Sequence, residues 1–213
     1  MTLRLLVKKL EAGNAKIITR DEIKSYCKSL KLDYYNVIGY LTSNNYVIRI
    51  LRGIFYIKSA EERKLNKTNA SFSELLKLAL DIKKINNWYF GLESALKLNN
   101  ITHEFFTVEI IINDSLSRPH HFDILGTKVK FIKIKKELLK FGVIEGVTRY
   151  SDLEKTLLDF IYLGKYNNYS DEEIKAKISD IIGRSDKKKL AAYARKYPKT
   201  VIKFLEKKWQ KQD

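Results

Sequence analysis

RILRGIFYI, residues 49–57, decides how the first third of this chain is read. Two apolar runs, Val47–Leu51 and Ile54–Ile57, flank an Arg-Gly pair, and Gly53 allows the tight turn between two antiparallel strands. Helical patterns precede this hairpin. Leu3, Leu6, Val7 and Leu10 are spaced for one apolar face, and Gly13 with Asn14 stops that helix. Thr19 and Glu22 form a capping box ahead of a second helix, whose apolar face carries Ile23, Tyr26, Cys27 and Leu30. Lys31 and Leu32 make a short turn. Asp33 is an N-cap for a third helix from Tyr34 to about Ser43, closed by Asn44 and Asn45. Helix, helix, turn, helix and hairpin within 60 residues describe a winged helix-turn-helix.

That arrangement explains arginine at a hairpin tip. The third helix buries Tyr34, Ile38 and Leu41 with Val37 beside them, and its other face shows Tyr35, Asn36, Gly39 and Tyr40. A recognition helix enters the major groove with its N-terminal residues at base edges. Asn36 can pair with adenine, and Tyr35 or Tyr40 can meet phosphate or a thymine methyl. The hairpin is then the wing, and Arg49 and Arg52 follow the backbone or the minor groove, where guanidinium groups are favoured. Lys31, in the turn before the third helix, completes the expected DNA-binding set. The alternatives are a protein-docking module whose second domain binds and neutralises a partner enzyme, or an orphan winged-helix regulator.

Composition agrees with a polyanionic partner. The chain has 213 residues and a net charge of +16. Residues 1–67 hold 14 Lys or Arg against 6 Asp or Glu, so half of the excess sits on under a third of the chain. A hydrophobic fraction of 45% is that of a globular protein, with room for two cores. No apolar run reaches the roughly 18 residues of a membrane span. The N-terminal charges interleave with apolar residues, unlike a secretory signal. The single cysteine, Cys27, excludes an internal disulfide and reads as a small core residue. A cytosolic protein is the simplest expectation.

The mixed-charge segment 59–72 reads as a linker or a solvated helix entry, so the domains are expected at 1–60 and 68–213. A helix follows with Phe72, Leu75, Leu76, Ala79 and Leu80 on one side. Trp88-Tyr-Phe-Gly-Leu-Glu-Ser-Ala-Leu reads as another helix start. The run 104–112 and the alternating stretch 128–134 predict two neighbouring strands. Ser151 with Glu154 and Ser170 with Glu173 read as capping boxes of two helices, and 190–208 as a helix interrupted by Pro198. The fold class is therefore α+β: a winged helix-turn-helix followed by a domain with a small sheet and C-terminal helices.

Three motifs in order resemble those of the AbiEi family of antitoxins and transcriptional regulators from type IV toxin–antitoxin systems. They are Ile48-Arg-Ile-Leu-Arg-Gly-Ile-Phe-Tyr56, Trp88-Tyr-Phe-Gly-Leu-Glu-Ser-Ala-Leu96 and Asp152-Leu-Glu-Lys-Thr-Leu-Leu-Asp159. The resemblance spans nearly the whole chain. It implies a repressor of its own operon and an antitoxin that counteracts a nucleotidyltransferase toxin, without necessarily forming a stable complex with it. The recognition helix departs from the family in being rich in Tyr and Asn, so base contacts do not carry over residue by residue.

The second domain also contains an enzyme-like stretch. Phe90-Gly-Leu-Glu-Ser-Ala-Leu is similar to the Gly-rich entry of minimal nucleotidyltransferases, which hold Mg²⁺ on two carboxylates of the next strand. That strand offers Glu109 alone, and Leu92 or Glu93 replaces the second glycine, so no catalytic site is expected. Arg118-Pro-His-His-Phe-Asp123 has metal-like residue types, but adjacent histidines on an extended segment point apart. It reads as a polar loop, with phosphate or partner contact by Arg118 and His120 as the other reading. No metal and no cofactor are expected. The basic cluster at 187–189, Arg195, Lys196 and Lys199 reads as a solvated face. The oligomeric state is left open.

Overall fold

The computed structural model describes residues 2–13, 15–146 and 148–209. Asn14, read with Gly13 as the stop of the first helix, lies outside them. The chain divides into two compact units, Met1–Lys84 with Asp123–Gly126, and Ile85–Phe122 with Thr127–Asp213.

The first unit opens with α1 (Thr2–Ala12), β1 (Ile17–Thr19), α2 (Arg20–Ser29) and α3 (Tyr34–Ser43). The wing strands β2 (Val47–Leu51) and β3 (Ile54–Ile57) follow, then α4 (Ala60–Lys64) and α5 (Phe72–Ile82). Its three strands pair antiparallel in the order β1-β3-β2. Leu6, Leu10, Ile23, Cys27, Val37, Leu41 and Phe55 form the core beneath them. The arrangement is a winged helix-turn-helix with a third strand, β1, ahead of α2. The strand is short because Thr19 serves both as its last residue and as the N-cap of α2, with the expected capping box to Glu22.

The segment expected to be a linker or a solvated helix entry contains a short helix and leads into a second one. Ser59 and Glu62 form a capping box for α4, and Ser71 and Glu74 form another for α5. Helix α5 buries Leu75, Leu76, Ala79 and Leu80 and lies against β2. The unit boundary consequently falls at 84/85, and α5 belongs with the wing, not with the second domain.

The second unit starts with β4 (Trp88–Phe90), where a helix start was expected, and α6 (Glu93–Leu98) begins three residues later. Then come β5 (Val108–Asn113), β6 (Phe122–Ile124, of which only Phe122 is assigned to this unit), β7 (Thr127–Lys133), a short 3-10 turn (Lys136–Leu139), β8 (Val143–Ile144) and β9 (Tyr150–Ser151). The sheet order is β6-β7-β5-β4-β9-β8. The expected neighbours β5 and β7 pair in parallel, from Val108 opposite Lys128 to Asn113 opposite Lys133. Four helices complete the unit: α7 (Leu153–Tyr166), α8 (Asp171–Ile182), α9 (Lys187–Ala194) and α10 (Lys199–Trp209). Pro198 separates the last two, as expected. The core joins Tyr89, Ile112, Leu157, Leu158, Ile161, Ile174, Ile178, Leu190, Val201 and Phe204. The α+β class with a small sheet and C-terminal helices holds throughout.

Candidate nucleic-acid interface

The helix-turn-helix is set by backbone geometry between α2 and α3. Lys31 adopts φ +53°, and the Leu32 amide donates to the Cys27 carbonyl at 2.9 Å, which reverses the chain. Asp33 then caps α3 by accepting from the Asn36 amide at 2.9 Å. Val37 and Leu41 are the residues of α3 that go fully inside. Tyr34 and Ile38, expected in the core, stop at its edge because they border a groove.

That groove has a volume of about 450 Å³. One wall is α3, through Tyr35, Ile38, Gly39 and Thr42, which lie within about 100° of one another on a 3.6-residue helix. The other wall is the wing, through Arg49, Arg52 and Gly53. Gly53 takes φ +78°, the left-handed conformation its turn requires. Its carbonyl accepts from the Arg20 amide at 2.8 Å, which ties the wing turn to the start of α2. Arg20 thereby joins the groove, and its guanidinium lies 5.6 Å from the centre of the Tyr34 ring. Lys24 approaches the same ring at 5.7 Å. Sequence reasoning missed Arg20 and Thr42. Thr42 lies one and two turns along from Ile38 and Tyr35, a signal visible in the spacing, whereas Arg20 reaches the groove only through tertiary structure.

The residues expected to bind DNA divide into three groups. Tyr35, Arg49 and Arg52 share the groove, and Tyr35 is 72% exposed. Asn36 and Lys31 are exposed beside it, and among the described residues the Asn36 amide group has no side-chain partner. Arg49 and Arg52 have none either. Tyr40 turns away: it is half-buried and stacks on Tyr46 at 5.9 Å, with Arg63 over the far ring at 4.5 Å. The arrangement offers three guanidinium groups and an exposed phenol along one concave strip, a surface chemically suited to phosphates.

The second unit hides its chemistry. Asp159 accepts from Tyr89 at 2.7 Å, from Tyr197 at 2.6 Å and from Lys155 at 3.3 Å, and all four residues are buried. The Lys155 ammonium also sits 4.8 to 5.5 Å from the rings of Phe141, Tyr89 and Tyr197. Burial pushes its pKa down in spite of Asp159, and burial with the Asp159 charge pushes the two phenols well up. The expected Ser151–Glu154 capping box is absent. Asp152 is the N-cap, accepting from the Lys155 amide, while the Ser151 hydroxyl bonds Thr156. Glu154 instead accepts from the Asp186 amide at 2.9 Å and pairs with Lys189 at 2.8 Å. Burial raises its carboxyl, but Lys189 and the Asp186 amide outweigh that and hold it below its ordinary value. Lys189 also pairs with Asp152, and Lys196 lies 4.2 Å over the Phe141 ring, so the basic cluster at 187–199 is only partly a solvated face.

Gly91 is explained by packing. A Cβ there would meet Ile112 Cδ1 at 2.4 Å. Glu109 lies on β5 opposite Val129 of β7. His120 and His121 border a shallow cleft with Phe106 and Lys130, and Arg118 donates its amide to the Phe131 carbonyl. Among the described residues, no three His, Cys, Asp or Glu side chains come together as metal ligands.

No family model and no curated protein matches the chain. A solved structure does: the Rv2827c protein of Mycobacterium tuberculosis superposes with a TM-score of 0.52 at 10% identity. The match covers 94% of this chain and 73% of that one. The two proteins share a fold.

Proposed function

We propose that this protein is a winged-helix transcriptional regulator that binds duplex DNA. Helix α3 enters the major groove, and the wing follows the backbone or the adjacent minor groove. The supporting observation is the groove itself, in which Arg20, Arg49 and Arg52 face a helix that presents Tyr35 and Thr42. Beside it, the Asn36 side-chain amide, without a partner among the described residues, lies toward the N-terminal end of the helix, where base edges are read. Following the motif resemblance, the regulated site is the operator of its own operon, and the protein acts as the antitoxin of a nucleotidyltransferase toxin. It does so without catalysis of its own and in the cytosol. Among the described residues no helix is long and apolar enough to cross a membrane.

The test is fluorescence anisotropy with the DNA upstream of the gene and a scrambled duplex of equal length. A preference for the upstream DNA that persists at about 150 mM salt is expected. Equal, salt-labile binding to both would remove the operator reading.

A further inference from the structure

Helix α3 carries no charged side chain from Tyr34 to Ser43, in a chain of net charge +16. The cations of the winged helix surround it instead: Arg20 and Lys24 on α2, Lys31 in the turn, and Arg49 and Arg52 on the wing. Contacts from those positions to phosphate fix register but carry no base information. Base information has to come from α3, and each base asks for its own partner in the major groove. Guanine presents two acceptors and is read by arginine or lysine, while the cytosine amino group donates to a carboxylate. Helix α3 holds none of these side chains.

The exposed positions of α3 are Tyr35, Asn36, Gly39, Thr42 and Ser43. The Thr42 hydroxyl donates to the Ile38 and Gly39 carbonyls at 2.7 and 3.0 Å, and the Ser43 hydroxyl donates to the Gly39 carbonyl. Both protons are spent inside the helix, so neither hydroxyl has one to give to guanine. Tyr35 adds a single hydroxyl, too few donors for guanine's pair of acceptors. What remains suits the other base pair. The Asn36 side chain keeps both halves of its amide, a donor and an acceptor, which complement adenine N7 and the adenine amino group. The Thr42 methyl is of the kind that packs on the thymine methyl.

We propose that the sites this protein selects carry A·T pairs beneath α3, with Asn36 on adenine and the Thr42 methyl against a thymine methyl. This selectivity rests on α3 entering the major groove as proposed above.

The experiment is selection by the full chain from a pool of random duplexes of about 20 base pairs, two helical turns, at about 150 mM salt, then anisotropy on the selected duplex with single pairs replaced. An A·T-rich core is expected. Inosine·cytosine is the decisive replacement, because it keeps the A·T pattern in the minor groove and shows the G·C pattern in the major groove. At the pair under Asn36 it should weaken binding about tenfold, and Asn36→Ala should abolish that difference. Uracil in place of thymine removes only the methyl. It should weaken wild-type binding about fourfold, the scale of one buried methyl group, and leave Thr42→Ser unaffected. A G·C-rich core, or an A·T core that tolerates inosine·cytosine throughout, would overturn the proposal and leave DNA binding standing. So would variants that respond to the replacements as the wild type does. Recovery of no duplex at this salt would overturn the docking itself, and the A·T selectivity with it.

Discussion

Gly39 has no steric reason to be glycine. A Cβ at this position meets nothing within 4 Å, and the residue lies on the groove face in the middle of α3. Glycine in a helix interior costs about 1 kcal/mol relative to alanine. The bare backbone is useful if another backbone has to come close. Gly39→Ala is therefore expected to raise stability by about 1 kcal/mol in urea unfolding while weakening DNA binding. Opposite signs in the two measurements would identify a residue kept for function. A variant that gains stability and binds DNA as well as the wild type would show that α3 does not approach the duplex through this face. At the same scale, Arg49 and Arg52 were legible because an Arg-Gly hairpin tip has so few structural reasons to exist. Arg20 was not, because its place depends on a backbone hydrogen bond to the Gly53 carbonyl that spans 33 positions of sequence. Tyr40 looked equivalent to Tyr35 from its residue type, but the stacking partner Tyr46 lies beyond the helix and draws it aside.

Helices announced themselves through their ends. The boxes Thr19–Glu22 and Ser170–Glu173 were readable because two side chains three apart satisfy each other's backbone amides. The same pattern at 151–154 misled, since tertiary partners at Asp186 and Lys189 claim Glu154. Strands of two or three residues were invisible: β4 is buried throughout, so Trp88-Tyr-Phe shows no alternation. Helix α4 was hidden by its charges, although its Glu62 is buried and central. Burial pushes the Glu62 carboxyl up, but the amides of Asn69 and Ser59 and the hydroxyls of Tyr56 and Ser59 more than offset this and hold it below its ordinary value. Because the folded group titrates lower than the unfolded one, ionised Glu62 stabilises above the ordinary value of 4.5 and loses that contribution as the pH falls through the folded value. Wild type should lose stability more steeply than Glu62→Gln on acidification from about pH 6. Parallel stability curves would remove Glu62 as an organiser of α4. On α7 the corresponding test is a mutant cycle. Asp159→Ala strands the buried Lys155 charge and should cost about 3–5 kcal/mol, while adding Lys155→Met should recover most of it. Additive losses would mean the pair is not coupled.

At the scale of the whole molecule the deciding property is how charge is distributed. A net charge of +16 attracts any polyanion, so affinity for DNA alone says little about the groove. The salt slope is more informative, since each phosphate neutralised contributes about −0.9 to the dependence of log affinity on log salt. Arg20, Lys24, Lys31, Arg49 and Arg52 lie in or beside the groove. If four of the five meet phosphates, the slope is about −4, and affinity falls by roughly two orders of magnitude between about 50 and 200 mM salt. Arg52→Ala should then reduce the slope by about one and weaken binding to every duplex by a similar factor. Asn36→Ala should leave the slope alone and relax choice at one base pair, at about 1–3 kcal/mol. The pair of variants separates a docked recognition helix from diffuse attraction to a basic surface. Diffuse attraction spreads the slope over many lysines, so removing one arginine changes it little and removing Asn36 changes nothing. That pattern, measured on upstream and scrambled duplexes together, would move the DNA off α3 and its wing.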